Sequence, residues 1–308
     1  MPNPNISIIL PTFNRDYVIA DTIENILSQT FNNFELIIID DASTDQTSDI
    51  IKSYQEKDNR IIYIQNKTNY GCAKSRCIGL DNTTANIIVF LDDDDKWNIN
   101  KLKKQYHIIK QDKSDMVISD YSIKNNNKLK YISMSSFSID FTYNILLRPG
   151  PFLQCIMLKK NLINKISKPF DSMAIPSEEW DFFIEVSKQN LNISYIQESL
   201  FTWNLNANSQ SMDFKHEADA LAYIFNKHYQ YAITKINKKI MSEHYRRIAR
   251  VYEKTNSINQ INKFYKKAFT EYPFSIKNIF YRALIFLGYK NTKPLITWMR
   301  KLRGIPNE

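Results

Sequence analysis

The sequence has few glycines, histidines and cysteines, and each shortage excludes a class of functional site. Only five of the 308 residues are glycine, and their spacing allows neither the G-x-G-x-x-G turn that binds dinucleotides nor the phosphate-binding loop G-x-x-x-x-G-K-[ST]. The four histidines form no H-E-x-x-H motif and none precedes His107, so the N-terminal third has neither a histidine zinc site nor a Ser-His-Asp triad. The three cysteines include no C-x-x-C pair, and we expect neither structural disulfides nor a zinc site.

Long apolar runs are also missing from the chain. No window of 18 residues is continuously apolar, whereas a membrane-spanning helix needs about that length. The first residues, MPNPNISIILPTFNR, lack the basic start and the apolar stretch of a signal peptide. We therefore expect a cytoplasmic protein. A hydrophobic content of 43% and a charged content of 24% are typical of a globular chain that buries a sizeable core.

The formal net charge of +9 is distributed unevenly along the chain. Residues 215–308 contain 19 Lys or Arg against 6 Asp or Glu, whereas residues 1–214 contain 22 against 26. We therefore predict an acidic body over 1–214 and a basic, helical C-terminal region over 215–308. A basic region favours an anionic partner such as phospholipid, nucleic acid or an acidic polymer, unless it is only a solvated helical surface.

The first 120 residues alternate short apolar runs with amphipathic segments. The apolar runs predict strands at 6–10, 34–39, 61–64, 86–91 and 115–119, and the amphipathic segments predict helices at 16–29, 43–57, 72–82 and 99–111. Continuous apolar strands separated by helices indicate a parallel sheet covered on both faces. Beyond residue 120 we expect strands at 152–158 and 193–196 and a helix at 178–189, which make the sheet mixed.

Polar residues follow three of these strands directly, at Pro11-Thr12, at Asp40-Asp41 and at the aspartate run 92–95. Ligands of such sheets bind beyond the carboxyl ends of the strands, so the three segments should converge on one cleft. Four consecutive aspartates repel one another unless something neutralises them. An acidic surface loop is one interpretation; a bound Mg²⁺ or Mn²⁺ ion, held by oxygen ligands, is the other. Such an ion would bind a diphosphate, which favours a nucleotide-linked substrate.

Five motifs in this order resemble family 2 glycosyltransferases. They are ISIILPTFNR, IIIDDASTDQT, NYGCAKSRCIGL, VFLDDDDKW and PFDSMAIPSEEWDFF, and the resemblance covers about residues 5–212. It implies an α/β architecture of the GT-A type, a Rossmann-like mixed sheet flanked by helices, here followed by a C-terminal helical extension. Within the glycosyltransferase domain 1–214, residues 1–120 would bind the nucleotide sugar and residues 121–214 would form the acceptor side.

The resemblance also implies roles for residues in the first three motifs. The nucleotide end of the cleft would be lined by Pro11, Thr12, Asn14 and Arg15. Asp41 would accept a hydrogen bond from the imide N–H of a uracil-type base, with Asp40 supporting it, and Lys74 and Arg76 would reach phosphate oxygens. The alternatives are that the aspartate pair only caps the following helix, and that Arg76 forms a surface ion pair.

Residues 92–94 correspond to the D-x-D element of the family. Asp94 would be the main metal ligand, and Asp92 or Asp93 would contact the ribose or complete the metal shell. The resemblance therefore implies Mn²⁺ or Mg²⁺ as the cofactor.

The segment from Glu178 to Asp181 would supply the catalytic base. A direct displacement needs a carboxylate that takes the proton of the attacking hydroxyl. In the family the second acid of the pair has this role and is usually aspartate; here that position is Glu179, with Glu178 and Asp181 as alternatives. The acids could instead only stabilise the N-terminus of the following helix through its dipole.

The resemblance implies an inverting glycosyltransferase of bacterial cell-surface polysaccharide synthesis. It would move a sugar from a nucleotide diphosphate sugar, UDP in our interpretation, to a hydroxyl of a glycan or lipid-linked glycan. The alternatives are a sugar-phosphate nucleotidyltransferase, whose glycine-rich N-terminal loop PTFNR does not match, and a non-catalytic nucleic-acid-binding or scaffold protein. We expect no nucleic acid partner, because the run 92–95 repels phosphate unless a metal is bound.

The C-terminal region contains two amphipathic segments, 275–288 and 294–303, in which Lys and Arg flank apolar residues. Helices of this kind lie in the interface of anionic membranes or pack against the protein as a hairpin. One hypothesis is therefore a peripheral enzyme at the inner face of the plasma membrane, bound through residues 275–308.

Overall fold

The computed structural model describes residues 3–125, 128–204 and 213–288. The strands in these ranges are β1 (Ile6–Thr12), β2 (Phe34–Asp40), β3 (Ile61–Gln65), β4 (Ile87–Phe90), β5 (Lys96–Trp97), β6 (Met116–Asn125), β7 (Lys128–Ile132), β8 (Ile156–Lys159) and β9 (Ile193–Asn204). The α-helices are α1 (Ile19–Leu27), α2 (Thr47–Gln55), α3 (Cys72–Asp81), α4 (Lys101–Gln111), α5 (Ser135–Ile139), α6 (Phe141–Leu147), α7 (Lys160–Ile163), α8 (Glu178–Ser187), α9 (Phe214–Lys227), α10 (Tyr229–Lys235), α11 (Lys238–Lys254), α12 (Ile258–Glu271) and α13 (Ile276–Phe286).

The strands form one mixed sheet in the order β3-β2-β1-β4-β8-β6-β9-β5, with β7 paired to β6. Strands β1 to β4 are parallel, β8 runs antiparallel between β4 and β6, and β9 is parallel to β6. The carboxyl ends of β1, β2 and β4 therefore lie at the same edge. The mixed α/β sheet flanked by helices is confirmed.

Glycine allows α3 to lie close against the sheet. A Cβ added at Gly79 would stand 2.5 Å from Cγ2 of Ile9 in β1 and 2.8 Å from Cδ1 of Ile39 in β2. Both contacts are shorter than side chains tolerate, so the position fixes the distance between helix and sheet. Since α3 carries Arg76, this packing also positions a residue of the site.

Several predicted boundaries differ from the structure. Helices α1 and α2 begin three to four residues later than the apolar pattern indicates, because two turns with positive φ at Asn14 and Ala42 precede them. Backbone N–H of Asn14 donates to Ser43 Oγ (2.9 Å), and that of Thr44 donates to Asn14 Oδ1 (2.8 Å). The predicted strand 152–158 is shorter, since Leu153–Cys155 form a 3₁₀ turn and β8 begins at Ile156.

The chain divides into two compact units, Met1–Ser172 with Glu178–Ser211, and Met173–Ser177 with Met212–Glu308. In the second unit, helices α9 to α13 account for most of 214–286, which confirms a helical C-terminal region. Its core includes the Phe225 and His244 rings, stacked 4.1 Å apart. The boundary at residue 214 stays a prediction, and the predicted helix 294–303 lies outside the described residues. None of the described helices is long and apolar enough to cross a membrane.

Candidate active site

The carboxyl ends of β1, β2 and β4 bring the predicted segments to one edge of the sheet. Thr12 pairs with Asp40 across β1 and β2, and the N–H of Asp41 donates to the Thr12 carbonyl (2.8 Å). The N–H of Leu91, just before the aspartate run, donates to the Ile9 carbonyl of β1 (3.0 Å). Pro11 and Thr12 are buried and Asn14 and Arg15 half-buried. The aspartates are therefore fixed by backbone hydrogen bonds at this edge.

Asp40 and Asp41 hold the loops that border this edge. The buried Asp40 accepts from the Ser43 N–H (2.9 Å) and from the Tyr63 hydroxyl (2.8 Å). Asp41, 4% exposed, accepts at Oδ1 from Asn66 Nδ2 and the Tyr70 N–H, and at Oδ2 from the Gly71 N–H, over 2.7 to 2.9 Å. Gly71 has a φ of 83°, which a residue with a side chain seldom adopts. Asp41 thus organises the turn that leads into α3, besides the nucleotide contact predicted for it.

Two arginines neutralise part of the aspartate run. Arg15 Nε donates to Asp93 Oδ1 (3.0 Å) and Arg76 Nη2 donates to Asp92 Oδ1 (2.9 Å). Burial raises the pKa of Asp93 to about 6, although the Arg15 charge opposes the shift. Asp93 therefore belongs to a part-buried ion pair, in which its side chain is 11% exposed and that of Arg15 is 34% exposed.

Asp94 and Asp95 form no ion pair with a side chain in the described residues. Burial, and then the Asp92 charge, raises the pKa of Asp94. Burial, with the charges of Asp92 and Asp94, raises the pKa of Asp95 to about 9. Oδ1 of Asp95 is buried and has no hydrogen-bond partner. A divalent cation would favour the charged form of both acids, so their chemistry fits one.

A complete metal shell is not preformed from side chains. Within 3–125, 128–204 and 213–288, no three His, Cys, Asp or Glu side chains converge closely enough to hold a metal ion. Magnesium is commonly bound by one or two carboxylates together with substrate phosphates and water. The acids at the end of β4 fit that mode, in which the diphosphate would supply the remaining oxygens.

Arg76 pairs with acidic side chains inside the protein. It is 3% exposed and donates to three carboxylates, those of Asp92 (2.9 Å), Glu178 (3.0 Å) and Glu179 (3.2 Å). Burial lowers its pKa, but the surrounding negative charges raise it well above its usual value. The guanidinium is enclosed by acids in this structure, and its contact with phosphate oxygens stays a prediction. Lys74, also predicted to reach phosphate, is exposed on α3.

Glu179 combines partial exposure with a raised pKa. Its side chain is 25% exposed, Oε1 accepts from Arg76, and Oε2 accepts from the Leu153 N–H (3.3 Å). Burial, with the charges of Asp92 and Glu178 opposing that of Arg76, raises its pKa to about 7. A carboxylate with this pKa can accept a proton at neutral pH. Asp181, an alternative base, is fully buried and has no surface to offer an acceptor, and Trp180 packs in the core with 2% exposure.

Two side-chain amides that were not predicted from the sequence also belong to the site. Gln154, 1% exposed, donates Nε2 to Asp92 Oδ2, while its Oε1 is buried without a partner. Asn204, at the end of β9, donates Nδ2 to the Asp94 carbonyl (3.0 Å). Neither lies in one of the five motifs, and the predicted strand 193–196 ends eight residues before Asn204, whereas β9 extends to it.

The comparison with protein families identifies the fold and the class of reaction. The model of the family described as "Glycosyl transferase family 2" matches residues 7–168, which is more than half of the chain and includes β1 to β8. The chain belongs to glycosyl transferase family 2. As a member of this family it is a glycosyltransferase, which decides against the nucleotidyltransferase and the non-catalytic alternatives.

Relatives and solved structures agree with this family. The Escherichia coli enzyme named UDP-Glc:alpha-D-GlcNAc-diphosphoundecaprenol beta-1,3-glucosyltransferase WfgD is 32% identical over 194 residues, which are 62% of this chain and 72% of that enzyme. The crystal structure of S. aureus TarS 1-349 in complex with UDP-GlcNAc has a TM-score of 0.67 and 20% identity, over 85% of this chain and 81% of that one. The mannosyltransferase PcManGT from Pyrobaculum calidifontis, in complex with GDP-Man and Mn²⁺, has a TM-score of 0.60 and 17% identity, over 96% and 83%. The two structures confirm the GT-A fold.

Proposed function

We propose that this glycosyltransferase moves a sugar from a UDP-sugar to a hydroxyl group of a lipid-linked glycan, with inversion, during synthesis of a bacterial surface polysaccharide. The names of relatives support the substrates, since WfgD uses UDP-Glc and a lipid diphosphate acceptor by name. The observation that carries the proposal is the position of Glu179, a partly exposed acid with a pKa of about 7, linked through Arg76 to the first aspartate after β4.

In this proposal Glu179 is the catalytic base. It takes the proton of the acceptor hydroxyl while that oxygen forms a bond to the anomeric carbon. The bond from that carbon to the diphosphate oxygen breaks in the same step, and UDP leaves with the electron pair. Arg76 and the Leu153 N–H hold the two oxygens of Glu179, which orients the carboxylate. Glu178, bound to the same guanidinium, would tune the charge of Glu179 rather than accept the proton.

The acids after β4 would hold Mn²⁺ or Mg²⁺. Asp94 would be the main ligand, with Asp92 completing the protein's share. When bound, the ion offsets the negative charge that develops on the departing diphosphate. Asp41 and the turn around Asn14 and Arg15 would border the uracil and ribose. Lys74 stays a candidate for a phosphate contact, because it is exposed and α3 begins at the turn held by Asp41.

A thermal-shift experiment tests the donor and the metal together. Wild-type protein is melted with UDP and Mn²⁺, with either alone, and with GDP and Mn²⁺. We expect the melting temperature to rise with UDP and Mn²⁺, to rise less with GDP, and to fall back when the metal is chelated. Stabilisation by an RNA or DNA oligonucleotide but not by UDP would contradict the proposal.

The proposal also includes attachment to an anionic membrane, which helix α13 supports. Ile276, Ile279, Ala283 and Phe286 follow one another at helical spacing and are all exposed, Ile276 by 84% and Phe286 by 87%. Residues 272–307 contain seven Lys or Arg and no Asp or Glu. An apolar stripe flanked only by positive charge is typical of a helix in the interface of an anionic bilayer.

Flotation with vesicles tests this attachment. We expect the protein to float with phosphatidylglycerol vesicles and not with phosphatidylcholine vesicles, and the double variant Ile276→Ser and Phe286→Ser to lose most of the bound fraction. Ile139→Ser is the matched control, since Ile139 is also 84% exposed but belongs to the first unit. Equal flotation of the double variant and the control would exclude α13 as the membrane contact.

A further inference from the structure

The 3₁₀ turn Leu153–Cys155 forms hydrogen bonds to two carboxylates of the candidate active site. Leu153 donates its backbone N–H to Glu179 Oε2 (3.3 Å), and Gln154 donates Nε2 to Asp92 Oδ2. The residues of the turn are buried, each at most 1% exposed. A displacement of this one turn would therefore move hydrogen-bond donors of both the proposed base and the first aspartate after β4.

The end of the turn is held by two side chains from other elements. The Cys155 carbonyl accepts a hydrogen bond from Gln105 Nε2 of α4 (2.9 Å) and another from Ser119 Oγ of β6 (3.1 Å). Gln105 and Ser119 are both fully buried. Since a carbonyl oxygen has two lone pairs, these two donors use its whole capacity to accept. The turn is thus fixed to α4 and β6.

Lys101 orients the amide of Gln105. Its Nζ donates to Gln105 Oε1 (2.5 Å) and lies 4.9 Å from the centre of the Trp97 ring. Because the Cys155 carbonyl can only accept, the amide must present its nitrogen to the turn and its oxygen to Lys101. Lys101 is fully buried, and burial lowers its pKa to about 7. Enclosing an amine in this way costs free energy, and its hydrogen bond is made to the amide that holds the turn.

We infer that Gln105 and Lys101 are positioning residues for the transfer reaction, an inference that rests on the proposed function. They hold the turn Leu153–Cys155, and the turn in turn binds Glu179 and Asp92. Both residues act through the turn and not on the substrate. Displacing a catalytic group by about 1 Å can cost roughly 100-fold in rate, so a side chain that fixes the turn affects the reaction without contacting it.

Loss of the Gln105 amide should have two consequences at Glu179. The carboxylate would be displaced from the acceptor, which lowers the rate of transfer. The Leu153 N–H, which lowers the pKa of Glu179 against the effect of burial, would move away, so that pKa should rise above about 7. The charged side chains around Glu179 are the same in the variant; they are Arg76, Asp92 and Glu178.

The test uses Gln105→Met, which keeps the length of the side chain and removes both hydrogen bonds. Lys101→Met is a milder second variant, because it keeps the Gln105 amide and removes only the donor to its oxygen. Gln29→Met is the matched control. Gln29 is 2% exposed, and its Nε2 also donates to a backbone carbonyl over 2.9 Å, that of Asn98, which lies outside the turn.

The first measurement is the release of UDP from UDP-glucose in the presence of Mn²⁺. Water replaces the glycan hydroxyl, so Glu179 takes a proton from water while the water oxygen bonds to the anomeric carbon and UDP leaves with the electron pair. We expect Gln105→Met to lower kcat roughly tenfold or more, and to change KM for UDP-glucose by less than about threefold. The midpoint of the rise of kcat with pH should move upward, and by less in Lys101→Met. Gln29→Met should match the wild-type protein in kcat, KM and midpoint.

The second measurement does not require catalysis. Urea unfolding compares the effect of Glu179→Gln on the unfolding midpoint in wild-type protein, in Gln105→Met and in Gln29→Met. Side chains joined through one hydrogen-bond network give non-additive effects, whereas the effects of independent side chains add. We expect Glu179→Gln to have a different effect in the Gln105→Met background and an unchanged effect in the Gln29→Met background.

Two results would overturn the inference. In one, kcat and the pH midpoint of Gln105→Met equal those of Gln29→Met; in the other, the effects of Gln105→Met and Glu179→Gln on unfolding are additive. If wild-type protein released no UDP, the proposed donor chemistry would be contradicted instead. The urea comparison would then still decide whether Gln105 positions Glu179.

Discussion

Replacing Arg76 with leucine removes a cation that three carboxylates share. Arg76 is buried, and Asp92, Glu178 and Glu179 lie 2.9 to 3.2 Å from its guanidinium. Removing one partner from a buried ion pair costs about 3–5 kcal/mol, because the opposite charges remain. We expect Arg76→Leu to lose at least that much free energy of unfolding, and Arg76→Lys to lose less. The assay is urea unfolding followed by circular dichroism.

The loss should depend on pH with a definite sign. The pKa of Glu179 is raised to about 7, so this acid is ionised at about pH 8 and protonated at about pH 5.5. Its interaction with Arg76 is therefore present at the higher pH and is lost as the pH falls through 7. The loss of free energy of unfolding in Arg76→Leu should therefore be smaller at about pH 5.5 than at about pH 8.

A second arginine provides the control for this experiment. Arg60 pairs with a single carboxylate, that of Asp58, at 2.7 Å, and that acid has a lowered pKa. Arg60→Leu should cost about 1 kcal/mol and change little between the two pH values. Two results would refute the reasoning about the three-carboxylate cluster. Arg76→Leu would lose less free energy of unfolding than Arg60→Leu, or its loss would increase as the pH is lowered.

Three further predictions concern catalysis, the metal and packing. Glu179→Gln should lower the transfer rate by roughly 10²–10⁴-fold and leave UDP affinity unchanged. The activity of the wild-type protein should rise as the pH increases through about 7. A larger loss of activity in Glu178→Gln, measured in the same transferase assay, would show that Glu178 is the base. Asp94→Asn should abolish the Mn²⁺-dependent part of the thermal shift with UDP, whereas the exposed Asp81→Asn should retain it. Gly79→Ala should lower stability by about 1–3 kcal/mol in urea unfolding, since the added methyl overlaps the sheet; a neutral result would show that α3 can move outward.

The parts of the site that follow strands directly were predictable from the sequence. Asp41 and Asp94 belong to runs of aspartate that begin directly after apolar runs, at Asp40 and Asp92, and parallel strands bring such positions to one edge. The period of the apolar residues also predicted each strand and helix through α4 except the two-residue strand β5 (Lys96–Trp97). Boundaries were less accurate at α1 and α2, because the side chain of Ser43, which resembles a helix cap in the sequence, instead accepts from the backbone of Asn14.

The parts that depend on tertiary packing were not predictable in this way. Arg76 lies on a helix whose exposure the sequence does not reveal, so its partners Glu178 and Glu179, more than 100 residues away, could not be assigned to it. Gln154 reaches Asp92 from a 3₁₀ turn, although the apolar pattern of 152–158 predicts a strand there. Both contacts come from distant segments that meet only when the mixed sheet is complete.

The most direct test of the central claim is anomalous diffraction at the manganese edge from crystals grown with UDP and Mn²⁺. The claim is that the acids after β4 hold the cation that in turn binds the donor diphosphate. We expect one strong manganese peak within bonding distance of the Asp94 carboxylate and of two diphosphate oxygens. A manganese peak remote from residues 92–95, with UDP bound elsewhere, would contradict it.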